Sequence, residues 1–560
     1  MRKHQVKRYG KVGDVRGEVN RDRSVATDVT AEVLEGIDPH VYQRRWKIHA
    51  VLCTSLMIVI IGNTVLNVAL PTLQQPEELG GIGASNTEVQ WIVDAYALIF
   101  AGLLFTAAAL GDRFGRKGAL QAGLVVFGFG SVLGVLADSS AALIAARAIM
   151  GVGAAFVMPS TLSMLTNVFP GRERAKAIAI WAGISGAGAA IGPIASGLLL
   201  EHFWWGSVFL VNLPIITFAL IAGYVLLPKS KDESETPLDP VGAVLSIVGL
   251  SALVYAIIEG PHHGWLSVES ALWFGGAAVV LLAWGLWEWR NRHPMLDLRL
   301  FRNPRFAVSS GGITLVFFAM FGTFFMMTQY LQGVLDYSPL GAAVRLLPIS
   351  VVMMAVAPQT PKLVARWGAD IVGTAGLLVV ATGLVGIALL RPGTGYPQLI
   401  VTMMVMAGGM ALTMTPMTTQ LMASVPRNRA GMGSATNDTT RELGGALGVA
   451  VLGSLLTGRY GSGMADAVAG LPAEIQDVAE GSLGGVHGLI AQGALPADSP
   501  VLDVAKDSFV SGLTLAAIVG AVVVLLAAVA VKRFLPSDRA NAQVTGERQP
   551  GLETAAVAGD

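Results

Sequence analysis

The sequence predicts an all-α integral membrane protein of about 14 transmembrane helices, built as two pseudo-symmetric six-helix halves with two further helices between them. Three observations predict this: charge is depleted, long apolar runs recur along the chain, and the first part of the sequence repeats in the last. Over 560 residues, 53% are apolar and 14% charged, with a mean hydropathy of +0.60. A soluble chain carries about a quarter charged residues, so this one lacks the groups to coat a water-facing surface. The 67 glycines agree, because small residues let membrane helices approach closely.

A helix needs about 20 apolar residues to cross a bilayer. Such runs lie near 48–70, 89–111, 118–137, 141–168, 177–200 and 206–227, then near 241–258 and 271–289, then near 306–332, 342–364, 371–390, 399–424, 431–457 and 509–531. The expected organisation is a disordered tail (1–47), a six-helix half (48–227), a charged linker (228–240), two inserted helices (241–290), a second six-helix half (306–535) and a disordered tail (536–560). Residues 458–508 read as a long extracytoplasmic loop with room for a short amphipathic helix. A transmembrane barrel would show alternating ten-residue strands, which these unbroken runs are not. The polar, basic start followed by a run long enough to span predicts no cleavable signal peptide.

Basic residues set the orientation. The loops carrying DRFGRK (112–117), GRERAK (171–176), Lys229, Lys231, Arg290 to Arg305, Lys362, Arg366, Arg427 and Arg429 hold 17 Lys and Arg, against three (Arg391, Arg459, Lys506) in the opposite loops. Both termini are therefore expected in the cytoplasm and the chain in the cytoplasmic membrane. The repeat aligns Pro159 with Pro416, Arg172 and Arg174 with Arg427 and Arg429, and DRFG (112–115) with ARWG (365–368), at offsets of 253–257 residues. Parallel repeats of this kind suit a transporter with a central cavity between its halves.

Five segments carry a family resemblance. LGDRFGRKGAL (110–120) resembles the loop signature between the second and third helices of the major facilitator superfamily, with Asp112, Arg113, Gly115 and Arg116 in the positions that govern conformational change. ARAIMGVGAA (146–155) is similar to its fourth-helix motif, with a buried arginine at Arg147. GAGAAIGPIASG (186–197) resembles the antiporter signature of the fifth helix, in which Gly188, Gly192 and Pro193 allow close packing and a bend. FLVNLPI (209–215) and the run 430–456 resemble the fourteen-helix drug:proton antiporter branch. The resemblance spans about residues 48–535. Ala108 stands where the family's leading glycine usually falls and Met150 where its fourth-helix glutamine does, and a third departure matters more: the branch has an acid in the first helix where this chain has Gly62, ahead of TVLNVALP (64–71). The resemblance then implies coupling through fewer carboxylates, with monovalent or neutral cargo favoured over divalent cations.

Ionisable residues at membrane depth cost about 2.5–3.5 kcal/mol each on insertion scales, so each is a candidate for function. Asp94 is a candidate for proton coupling or substrate binding, or an interfacial cap. Arg147 either holds a carboxylate in its charged state or forms a structural ion pair. Asp438, Arg441 and Glu442 share or adjoin one face of span 13, either as a proton-exchanging site or as a static pair of Asp438 with Arg441. The methionines of span 12 either line an adaptable pocket or pack the core, and Arg345 is an open candidate for gating. His262 and His263 read as interfacial, not metal-binding, and WGLWEWR (284–290) reads as an interface belt.

No metal site, cofactor or nucleic-acid partner is expected; the expected partners are protons, the lipid bilayer and a small amphipathic substrate, and the chain is expected to act as a monomer. No phosphate-binding loop, HExxH or GxSxG is present, so ATP-driven transport and membrane hydrolysis have no residues to run on. The expected function is proton-coupled export of amphipathic drugs, dyes or antibiotics. The alternatives are export of an endogenous metabolite, a lipid or a self-made antibiotic, or a transport-inactive sensor on the same fold.

Overall fold

The computed structural model describes residues 37–73, 81–84, 86–230, 238–496 and 498–537; most of both expected tails and the middle of the charged linker lie outside them. Among the described residues there is no strand, and 13 helices are long and apolar enough to cross a membrane. In order the long helices are α1 (Pro39–Thr64), α2 (Asn86–Phe114), α3 (Arg116–Leu136), α4 (Ser140–Val168), α5 (Gly171–Leu200), α6 (Ser207–Leu226), α7 (Pro240–His263), α8 (Val268–Arg290), α9 (Pro304–Gln329), α10 (Leu340–Trp367), α11 (Ala369–Ala388), α12 (Tyr396–Ala423), α13 (Ala430–Val468) and α14 (Pro500–Phe534). The fourteenth long helix, α5, has 30 residues.

Helix starts follow from the sequence. Asp38, Asp239, Asn303, Ser338 and Ser499 each precede a proline, and each side-chain oxygen accepts a hydrogen bond from a backbone N–H of the turn that follows. A capping side chain satisfies an orphan donor, while proline at the first helical position loses nothing. Inside α10 the same residue has the opposite effect: Pro348, Pro358 and Pro361 divide the span into short helical segments.

The repeat is visible in the packing. Gly115 and Gly368 both end a tight turn at positive φ, +120° and +92°. Gly123 of α3 and Gly153 of α4 lie backbone against backbone, so a Cβ on either would come within 2.8 Å of the other's carbonyl oxygen. Gly376 of α11 and Gly409 of α12 oppose each other the same way, at 2.7 and 2.6 Å. One helical layer further on, Met150 fills the space beside Gly130 and Met406 the space beside Gly383. Pro159 and Pro416 then fall inside the equivalent helices α4 and α12. Each pair keeps the offset read from the sequence. Gly376→Val is expected to cost about 1–3 kcal/mol or more, because backbone cannot yield as a side chain does. The monodisperse fraction after detergent extraction should fall accordingly, and an unchanged fraction would contradict this packing.

Three features differ from the sequence reading. Residues 458–468 continue α13, because Tyr460, Met464 and Val468 recur every four residues and all are buried. Two nine-residue helices follow (Ala473–Gly481 and Leu483–Ala491), tied down where Tyr460 donates to the Ala479 carbonyl at 2.9 Å and His487 Nε2 meets the Gly333 carbonyl at 2.9 Å. The aromatic run of α8 is not simply an interface belt. Trp284 Nε1 donates to Glu288 at 2.9 Å and Trp287 Nε1 to both oxygens of Asp239, which binds α8 to the start of α7.

Candidate functional site

The charged residues of the spans gather into three groups. The first lies at the end of the bundle that carries the 112–117 turn, called the basic face below. Asp112 Oδ1 accepts from Arg116 Nε at 2.7 Å, and both Asp112 oxygens accept from the Gly431 N–H, at 3.2 and 3.0 Å. Gly431 stands in the first turn of α13, so a carboxylate of the first half meets the positive end of a helix of the second. A Cβ on Gly431 would run into that carboxylate. Arg116 adds Nη1 to Ser230 Oγ at 2.9 Å and Nη2 to the Asn428 carbonyl at 2.9 Å. Arg113 lies over the Phe114 ring, 5.4 Å from its centre. A cleft of about 380 Å³ opens beside this junction, between Thr166, Arg174, Met422 and Arg427.

The second group belongs to the first half. Arg147 is fully buried; its Nε donates to the Ile92 carbonyl at 3.0 Å, its Nη1 to the Gly62 carbonyl at 2.8 Å, and its guanidinium lies over Tyr96, 4.4 Å from the ring centre. Asp94, in the third turn of α2, interacts electrostatically with Arg147. Gly62 is revealing. A Cβ there would meet the Phe127 ring of α3, so the position faces a packed helix, while its carbonyl serves as the acceptor for Arg147.

The third group sits on α13. Asp438 is 0% exposed, and its Oδ1 accepts from Asn437 Nδ2 at 3.1 Å; Asn437 Oδ1 in turn accepts from Thr418 of α12 at 3.0 Å. Arg441 Nη1 stands 3.8 Å from Asp438 Oδ1, while Nη2 donates to Ser185 of α5 at 2.7 Å. The guanidinium lies 4.7 Å from the Phe317 ring and 5.3 Å from the Trp181 ring. Glu442, half-buried, acts electrostatically on Tyr96 of the other half. Tyr96 lies under the Arg147 guanidinium and is within electrostatic reach of Glu442.

The remaining sequence candidates fall elsewhere. Gly188 and Gly192 face α1, meeting Ile60 and Thr64, and Pro193 lies inside α5 one residue on. The same helix meets α10 through Gly183 and Gly197, near Met354, Ala357 and Leu340. Met403, Met406, Met410, Met414 and Met417 are core residues, with Met406 and Met417 occupying space beside glycines. Arg345 lies 3.7 Å from the centre of the Tyr337 ring. His263 reaches Glu259 and Glu269, at 3.4 and 3.2 Å, the His262 side chain lies outside the described residues, and no group among those described could hold a metal ion.

Sequence reasoning missed Tyr96, Trp181, Ser185, Asn437 and Thr418. A signal existed for Trp181: an indole N–H inside an expected span needs an acceptor, and it donates to Thr161 Oγ1 at 3.2 Å.

Among the described residues, thirteen spans long and apolar enough to cross a membrane and the long helix α5, with buried charges where two repeated halves meet, make the architecture of a membrane transporter. Residues 52–449 match the Major Facilitator Superfamily model, and the chain belongs to this family. It is 37% identical to the multidrug efflux pump LfrA of Mycolicibacterium smegmatis, over 87% of this chain and 96% of that protein. It is 32% identical to the tetracenomycin C resistance and export protein of Streptomyces glaucescens (89% and 93%) and to the methyl viologen resistance protein SmvA of Salmonella typhimurium (83% and 93%). The fold is similar to that of the human organic anion transporter MFSD10, with a TM-score of 0.56 at 14% identity, over 87% of this chain and 99% of that one.

Proposed function

We propose that this multi-pass membrane protein is a proton-coupled antiporter that exports amphipathic drugs, dyes or antibiotics across the cytoplasmic membrane, acting as a monomer with both termini in the cytoplasm. The relatives named for multidrug efflux and drug resistance support the cargo. The seventeen-to-three bias in loop Lys and Arg supports the orientation, which makes the basic face cytoplasmic. One observation carries the coupling: Asp438 is wholly buried, and the arginine beside it bonds across to Ser185 of the other half. A carboxylate at that junction changes its surroundings whenever the halves rock.

In the cytoplasm-open state Asp438 or Glu442 releases its proton, leaving a negative charge beside apolar walls. An amphipathic cation then gains an ionic partner and buries apolar area at about 25 cal/mol per Å². In the outward-open state protonation removes the attraction and the cargo leaves. A proton crossing 100 mV supplies about 2.3 kcal/mol to export of a cargo without net charge, enough for a more than tenfold gradient, whereas exchange of one proton for one monovalent cation is electroneutral and is driven by the pH difference. The Asp112–Arg116–Gly431 latch holds the cytoplasmic side closed, and the Gly-Pro bend of α5 accommodates the motion. A second reading, export of one dedicated compound, is favoured by what the tetracenomycin C relative is named for.

Substrate-induced proton release tests the coupling. Adding a permanently charged amphipathic cation to weakly buffered, detergent-purified protein should release protons to a pH dye, and Asp438→Asn should release fewer. Binding without any proton release would reject the coupling.

The latch makes a separate prediction. Asp112→Asn removes a charge worth about 0.3–2 kcal/mol at a helix N-terminus, and Gly431→Ala displaces that carboxylate sterically. Both should raise cytoplasmic-side labelling of a cysteine at Thr166 by about twofold or more. Unchanged labelling in both variants would show that the contact does not hold the gate.

A further inference from the structure

The α13 group leaves specific bonding capacity unspent. Arg441 is 6% exposed, yet its Nε and Nη1 have no hydrogen-bond partner; Asp438 is 0% exposed, and its Oδ2 has none. The two side chains do not satisfy each other, because the 3.8 Å between Nη1 and Oδ1 is beyond hydrogen-bond reach. Buried polar atoms in native structures are almost always paired, and an exception calls for an explanation. The Phe317 and Trp181 rings compensate part of the guanidinium charge but accept no N–H in its plane. Two donor atoms stand idle beside one acceptor atom. A bare cation would use the acceptor and leave both donors idle.

We propose that this site takes zwitterionic amphiphiles, with a substrate ammonium against Asp438 Oδ2, a substrate carboxylate against Arg441 Nε and Nη1, and the apolar body along Phe317 and Trp181. The inference rests on the export reading and narrows its cargo. A guanidinium edge and a carboxylate are matched bidentate partners. Arg441 and Asp438 lie one helical turn apart, so one short head group spans both. The tether to Ser185 of α5 would hold Arg441 in place for the ligand and couple its occupancy to the position of the other half.

The test uses two probes that differ only in the carboxylate: decyltrimethylammonium and N-decyl-N,N-dimethylglycine, below their micellar concentrations, with energised inverted vesicles. Wild-type protein should accumulate both. Arg441→Gln should lower accumulation of the glycine derivative by about 10- to 100-fold, the range of charge-assisted hydrogen bonds, and lower that of the cation much less, so that the ratio of zwitterion to cation accumulated falls by about tenfold or more. Arg441→Lys should restore part of the loss. Wild-type vesicles that accumulate the cation but not the zwitterion overturn the proposal, even if Arg441→Gln fails to insert. Equal loss of both probes at normal abundance overturns it as well, since Arg441 would then be structural. If wild-type vesicles accumulate neither probe, the export reading itself fails and takes the inference with it.

Discussion

Asp438→Asn is expected to reduce gradient-driven efflux by about 10- to 100-fold while leaving the amount of protein in the membrane nearly unchanged. The asparagine is isosteric, so the Asn437 and Thr418 chain that positions residue 438 can be kept. What is lost is a group able to hold either a proton or a cation, and bonds to a buried charge are worth about 1.5–3 kcal/mol. The pH dependence has a definite sign. If proton and cargo compete for one carboxylate, apparent cargo affinity rises with pH, by up to about tenfold per unit while that carboxylate remains mostly protonated. Asp438→Asn should flatten that slope, and Glu442→Gln should lower it less, since Glu442 is only half-buried. Binding titrations from pH 6 to pH 8 would measure it. A slope identical in wild type and both variants would remove these residues from the coupling.

Arg147→Gln should be the most damaging single substitution for folding. The guanidinium is fully buried and joins α4 to two other helices: α1 through the Gly62 carbonyl, and α2 through the Ile92 carbonyl and the Tyr96 ring. Its loss takes away the donor that the Gly62 and Ile92 carbonyls accept from and the cation that interacts electrostatically with Asp94, and hydrogen bonds to a charged group are worth about 1.5–3 kcal/mol. The double variant Arg147→Gln, Asp94→Asn should recover part of the lost abundance, because it removes a charge that Arg147 acted on, while efflux stays low. Fluorescence-detected size exclusion of the three variants decides this. Abundance in the double variant no better than in Arg147→Gln alone would show that Arg147 stabilises through its backbone contacts and not through Asp94.

The fold was legible because its signals are chemical and repeated. Apolar runs of spanning length admit few structures, and the offset between the halves reappears in the Gly123–Gly153 and Gly376–Gly409 contacts. The charged members of the site were legible for the same reason, since Asp94, Arg147, Asp438, Arg441 and Glu442 have no inexpensive place in a bilayer. Their neutral partners were not. Ser185, Asn437 and Thr418 carry no charge, and in a membrane helix such residues commonly bond to their own backbone. Which face of a helix a residue presents was also hidden. Gly62 reads as a missing acid, yet it packs on Phe127 and contributes its carbonyl to Arg147. Gly62→Asp would therefore first have to displace a fully buried ring, so the handling of divalent cations that a first-helix acid implies by the family resemblance is expected only if Phe127 is reduced as well, as in Gly62→Asp with Phe127→Ala. The straight continuation of α13 past residue 457 was concealed by its polar surface, although the Tyr460, Met464, Val468 spacing marks it.

The central claim is exchange of cargo for protons, and transport in proteoliposomes holding only this protein tests it most directly. A permanently charged amphipathic cation is the right probe, because a weak base would collect in an acidic lumen unaided. With the lumen acid by one pH unit, the account predicts uptake against a gradient, up to about tenfold per proton exchanged. That uptake should collapse when an ionophore dissipates the pH difference and be absent with Asp438→Asn. Uptake equally fast with and without the gradient, in both proteins, would contradict it.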